Sequence, residues 1–392
     1  MIKLSLKKNL LYLLAFCISY YARKILSIII DKAFKFNDPY IFLYMMAFGE
    51  IIGGSAIYIY QMNYRRKKKD IKYFGIKIIQ NKQYINAGGS LKKILLLFLA
   101  SFFDIYEFII ISFYVPKIGK FSPTLDLRLG CITTISSALI CIYAFRFKNG
   151  KHHNFSLISL GICLFLTVIL EIIFKGNDIP FGIFMLAVFL VFYYLISITF
   201  TDCIERYLAY YYFLNPFLIL MIEGVFGLIM AILYSIKSDP LKELFNQYDV
   251  NGLGKFILLI FLLILYLILS AVLNAYKIYV NVIYSPMARS ITDYLMNPFF
   301  NIYYFFAEND FQQNFAYFFI CEIISILIDF FCFVFNEYIT LYCFGLDHDT
   351  SDTIVKRAME REMHPANYDI DIDEEEYIFN NESGDKDNNE KN

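Results

Sequence analysis

The sequence predicts an all-α polytopic membrane protein with ten transmembrane helices arranged as two inverted five-helix repeats. Three observations predict it. The 392 residues are 58% hydrophobic and 19% aromatic, with a mean hydropathy of +0.52, outside the range of ordinary soluble domains. Apolar runs of roughly 20 residues, the length that crosses a bilayer as helix, recur as far as Gly345. Ionisable residues inside those runs recur in the same order in the two halves.

The first run follows Lys3, Lys7 and Lys8, as in a signal peptide. No small-residue cleavage site comes after it, and apolar character continues through Tyr21 and Ala22 into KILSIII. It is therefore expected to be a retained helix. The expected spans are 10–31, 39–61, 93–115, 124–146, 154–174, 180–203, 211–236, 255–280, 283–307 and 315–343. Residues 1–175 form the first repeat, with a basic connector at 62–92, and 176–345 form the second. Residues 346–392 read as a tail that is acidic, polar and mostly disordered. Eight cysteines lie in or beside the apolar runs without metal-ligand spacing, so they read as small hydrophobes.

Orientation follows from lysine and arginine near the span ends. Ten of them fall between Arg65 and Lys93, and Arg146, Lys148 and Lys151 lie in a loop on the same side. With an even number of spans, both termini face the cytosol.

A charge at mid-bilayer costs roughly 2.5–3.5 kcal/mol on insertion scales, so such residues pair, face water or do work. Here they are Glu50, Asp104, Arg128, Glu223, Arg289 and Asp293, with Asp126 and Lys277 nearer span ends. Glu50 and Glu223 each stand beside glycine, 173 residues apart; Asp104 and Asn274 are 170 apart, and Arg128 and Arg289 161 apart. Those pairs map span two onto seven, three onto eight and four onto nine. Five spans per repeat is an odd number, which inverts one repeat relative to the other and puts a binding site at the midplane. Candidate substrate-binding residues are therefore Glu50, Asp104, Arg128, Glu223, Asn274, Arg289 and Asp293. Arg128, with no acid four positions away, is the expected anion-binding group, and Arg289 and Asp293 can neutralise each other along one helix face. Gly49, Gly53, Gly54 and Ser55 give span two a small face for close packing, and Pro298 is expected to kink span nine.

At these residues the chain resembles the drug/metabolite transporter superfamily, and within it the nucleotide-sugar-transporter-like solute carrier family 35, subfamily F. The stretches that carry the resemblance are YIFLYMMAFGE, LLLFLASFFDIYEFII, LDLRLGCITTISSALICIYAF, LNPFLILMIEGVFG and SPMARSITDYL. The resemblance implies the drug/metabolite transporter fold, cytosolic termini and alternating access.

The expected function is a secondary transporter that moves a small polar or anionic metabolite across an endomembrane by rocking one repeat past the other. Arg128 and Arg289 would contact anionic groups. No cofactor, metal or nucleic acid is called for. The partners expected are the lipid bilayer, a small-molecule substrate, a coupled proton or counter-substrate, and a second copy of the chain. Two other classes stay open: a non-transporting scaffold or receptor, and a membrane-embedded enzyme. The phosphate-cradling GxxxxGK[ST] loop is absent, and the four histidines all lie outside the expected spans.

Overall fold

In the computed structural model, the described residues are 6–67, 72–73, 76–77, 90–114, 128–145, 149–175, 180–212, 214–236, 238–283, 285–291, 295, 297–307, 314–350, 353–354 and 356–357. They are helical apart from a two-stranded antiparallel pair, β1 (Lys72–Tyr73) and β2 (Ile76–Lys77), with Tyr73 opposite Ile76. The helices are α1 (Leu6–Phe34), α2 (Pro39–Lys67), α3 (Ser90–Ile109, continued by a π-helical turn over Ile110–Tyr114), α4 (Cys131–Phe145), α5 (Lys151–Lys175) and α6 (Phe181–Tyr211). They continue with α7 (Pro216–Ser235), α8 (Pro240–Ile283), α9 (Pro286–Ser290), α10 (Asn297–Ala307) and α11 (Phe315–Phe335).

Four helix starts follow one local rule, α8 among them, where Asp239 accepts from Lys242 N–H (3.2 Å) ahead of Pro240. Proline at the first helical position costs nothing, because its missing N–H would be unpaired there, and the preceding polar side chain caps the turn. Asp38 accepts from the N–H groups of Tyr40 (2.7 Å) and Ile41 (3.3 Å) ahead of α2. Asn215 accepts from Phe217 N–H (2.9 Å) ahead of α7, and Ser285 from Ala288 N–H (2.9 Å) ahead of α9.

Among the described residues, seven helical stretches are long and apolar enough to cross a membrane: Pro39–Asn63, Leu91–Tyr114, Lys151–Phe174, Phe181–Tyr211, Pro216–Ser235, Gly252–Val282 and Phe315–Phe335. Large apolar side chains such as Ile232, Leu233, Phe261 and Phe319 stand exposed on them, as hydrocarbon solvent permits. The chain is a polytopic membrane protein.

The other three expected spans are helical but differ. Helix α1 has 29 residues, with Arg23 and Lys24 in its middle. Arg23 lies over the Tyr266 ring (5.9 Å) and Lys24 over that of Phe300 (5.0 Å), so aromatic faces partner both charges. Helix α4 has only 15 residues. Span nine is represented by α9 and α10, with residues 292–294 and 296 between them outside the described residues, and Pro298 sits in the first turn of α10. The connector ahead of span eight, read as a loop from sequence, is helical from Pro240; Gly252, at φ 75°, breaks the α8 geometry where only glycine is unstrained.

The assembly is held by close approach, because lipid supplies no hydrophobic drive between helices. Helix α2 packs against α7 and α8 through its glycines. A Cβ at Gly53 would lie 2.5 Å from Ala271 O, and one at Gly54 2.7 Å from Phe217 O; one at Gly224 would lie 2.8 Å from Glu50 Cβ. Further packings join α3 to α6 and α7, α1 to α8, α4 to α6 and α9, and α5 to α11. None of the eight cysteines is in a disulfide, and only Cys343 is exposed.

Candidate functional site

Helical spacing brings a polar stripe onto one face of α8. Ser270, Asn274, Lys277 and Asn281 follow one another at intervals of four, three and four, and all four are buried. Opposite them stand Glu50 on α2, Asp104 and Glu107 on α3, Asp202 and Glu205 on α6, Glu223 on α7 and Arg289 on α9. Asp202 and Glu205, three apart, share a helix face.

The contacts are specific. Lys277 Nζ lies 2.7 Å from Asp104 Oδ1. Arg289 Nη1 lies 3.2 Å from Asp202 Oδ2. Asn281 Nδ2 donates to Glu205 Oε2 (2.7 Å) and to the Asp202 carbonyl (2.8 Å). Asn274 Nδ2 reaches Glu50 Oε1 at 3.5 Å, and Ser101 Oγ donates to the Glu223 carbonyl at 2.8 Å. Lys277 is within electrostatic reach of Asp104, Glu107, Asp202 and Glu205, and Glu50 of Asp104, Glu223 and Lys277. These groups form one buried centre.

Of the residues singled out from sequence, Glu50, Asp104, Glu223, Asn274 and Arg289 meet at this centre. Asp293 and Asp126 lie outside the described residues, so the expected Arg289–Asp293 pairing falls there too; among the described residues Arg289 pairs with Asp202. Arg128 belongs to a separate cluster. Its guanidinium is fully buried, 2.5 Å from Glu171 Oε1, and donates to Tyr317 Oη (3.1 Å) and Cys321 Sγ (2.8 Å). Tyr317 Oη also donates to Glu171 (2.5 Å). Arg128 thus has its counter-ion on α5, beyond the reach of an i, i+4 search along its own helix.

Sequence reasoning passed over Glu107, Glu171, Asp202, Glu205 and Asn281, and put Lys277 near a span end. The α8 stripe was the available signal for Lys277 and Asn281.

A third cluster joins the start of α5 to the segment after α11. His152 Nε2 lies 3.2 Å from Glu337 Oε1, the two imidazoles are 3.9 Å apart between centroids, and Gly150 N–H donates to His153 Nδ1 (3.1 Å). One ligand atom from each of His152, His153 and Glu337 falls within 4.8 Å of the others, a spacing that a metal ion can bridge. Glu337 takes a left-handed backbone conformation, φ 59°, to get there. His152 and His153, placed outside the expected spans from sequence, are buried in the first turn of α5.

No protein-family model matches the chain, and no curated protein matches it either.

Proposed function

We propose that the protein is a secondary transporter that carries a small polar solute across an endomembrane by alternating access, with ten helices in two inverted repeats and both termini in the cytosol. It is not an enzyme in this reading. Residues 1–175 and 176–345 are the two repeats, with α9 and α10 together standing for the ninth helix.

One observation carries the reading: the main helix packings survive exchange of the two halves. Helix α2 against α7, α4 against α9, and α5 against α11 each map onto themselves. The α2–α8 packing maps onto α7–α3, and α3–α6 onto α8–α1. The α4–α5 packing maps onto α10–α11, and α4–α6 onto the cluster of Cys17 and Tyr21 with Phe300. The second half adds packings of its own, such as α6 with α7 and α8. Such exchange is what a two-fold axis between repeats would produce, and in this reading the buried polar centre would be the solute site between them. Buried, mutually interacting ionisable groups inside a membrane protein also favour a transport pathway on general grounds.

The test is uptake by purified protein in liposomes, screened with nucleotide sugars, organic anions and cations, with and without a pH gradient. Uptake that collapses on Glu50→Gln while protein abundance persists is the expected result. Folded protein that moves none of these solutes would overturn the reading and favour a scaffold.

A further inference from the structure

Charge at the centre does not balance among the described residues. Lys277 and Arg289 are the basic groups among its side chains, and each has an acid against it, Asp104 at 2.7 Å and Asp202 at 3.2 Å; Arg206 on α6, half-buried at the edge, donates to the Asn281 carbonyl (3.3 Å). Arg128 cannot contribute, because Glu171 holds it elsewhere. Four carboxyl groups are left: Glu50 on α2, Glu107 on α3, Glu205 on α6 and Glu223 on α7.

Neutral donors do little for them. Asn281 serves Glu205, and Asn274 reaches Glu50 only at 3.5 Å. Glu223 is 3% exposed, and its Oε1 accepts no hydrogen bond; the buried Oε2 of Glu107 and Oδ2 of Asp104 are in the same condition. Glu50 and Glu223 also come from helices that the repeat pairs, with α7 so close that a Cβ on Gly224 would meet Glu50 Cβ at 2.8 Å.

Four anionic groups in a water-poor space would repel one another and lose hydration without recompense. Positive charge must join them. Protons supply it when nothing else is bound, and buried oxygens that accept nothing are places where a cation can replace those protons. An anionic solute would meet two basic groups already engaged and a surplus of acids.

Resting on the transporter reading, we propose that the solute exchanged at this centre is a cation, bound as protons leave Glu50, Glu107, Glu205 and Glu223 and released as they return. Each unit of positive charge bound frees one proton to water on the open side; only O–H bonds break and form. The charged groups facing the four acids are Asp104 from α3, Asp202 from α6, Lys277 from α8 and Arg289 from α9.

Two measurements on the full chain test this. In detergent and weak buffer, tetramethylammonium or rubidium is added and proton release is read with a pH dye. In liposomes, uptake of the same two cations, inorganic phosphate and UDP-glucose is followed under a proton gradient. Expected are proton release and uptake with at least one cation, driven by an acidic interior. Tetramethylammonium alone marks an organic-cation site, and rubidium alone an alkali-cation site; either supports the proposal. Glu223→Gln should release fewer protons and slow cation uptake at least tenfold, roughly what losing one fixed charge at contact range implies. Glu107→Gln gives a second position if the first variant does not fold. Proton release by folded protein that transports nothing would leave the cation site standing and sink the transporter reading. Uptake of phosphate or UDP-glucose with no proton release by either cation would overturn the cation proposal and keep the transporter. If neither cation releases protons or is transported, the proposal falls.

Discussion

Arg128 and Arg289 stand in matching sequence contexts, yet their surroundings differ in a way that separates structural from functional charge. Around Arg128, one guanidinium meets one carboxylate, with a phenol and a thiol as further partners. Around Arg289 and Lys277, six carboxyl groups stand among the described residues. A balanced buried pair holds helices together and has little to exchange. In the proposed reading, the unbalanced group trades charge with a cation that comes and goes.

The largest effect should come from breaking the balanced cluster. Arg128→Met leaves Glu171 buried and unpaired, a loss of about 3–5 kcal/mol. Melting temperature in detergent should fall sharply, and the double variant with Glu171→Leu should recover much of it. A double variant as unstable as the single one would mean that Arg128 acts through something other than Glu171.

Next is the α2 seam. A methyl group at Gly53 would press on the Ala271 carbonyl, so Gly53→Ala should cost about 1–3 kcal/mol. Gly161→Ala, with open space around it, should be neutral or gain up to about 1 kcal/mol from helix propensity. Equal melting temperatures for the two variants would contradict the close approach.

The centre should respond in the opposite sense to the Arg128 cluster. Glu223→Gln removes one of the surplus acids, so the melting temperature should hold or rise even as transport fails. A collapse in stability would make Glu223 a structural residue and erase the contrast.

The smallest effect is at Asp38, outside the spans. Burial raises its carboxyl above the ordinary value, against the two N–H groups that it caps. The folded chain therefore holds this proton more tightly than the unfolded chain does. Stability falls as pH rises from the ordinary carboxylate value through the raised one, and stays lower above it. Asp38→Asn keeps the capping oxygen and removes that loss. Its melting temperature should exceed wild type above this window and match it below.

The helices were legible because apolar length speaks directly. Glu50, Asp104, Glu223 and Arg289 were legible because a charge in an apolar run stands out against its cost. What stayed hidden depended on boundaries and on tertiary partners. With the sixth span taken to end at residue 203, Glu205 falls outside it; α6 runs on to Tyr211 and buries it. Arg128 looked free because its counter-ion lies 43 residues away on another helix. Pro298, read as a kink, sits in the first turn of α10; proline marks a discontinuity without saying on which side the helix stops.

The glycines of α2 carry a mechanical consequence. Helix α2 belongs to the first half of the chain, yet at Gly54 and Gly53 its backbone lies directly against the backbones of α7 and α8 of the second. Under load, this seam is a weld. A transporter made this way would divide along some line other than the middle of its sequence, and each moving block would contain helices from both halves.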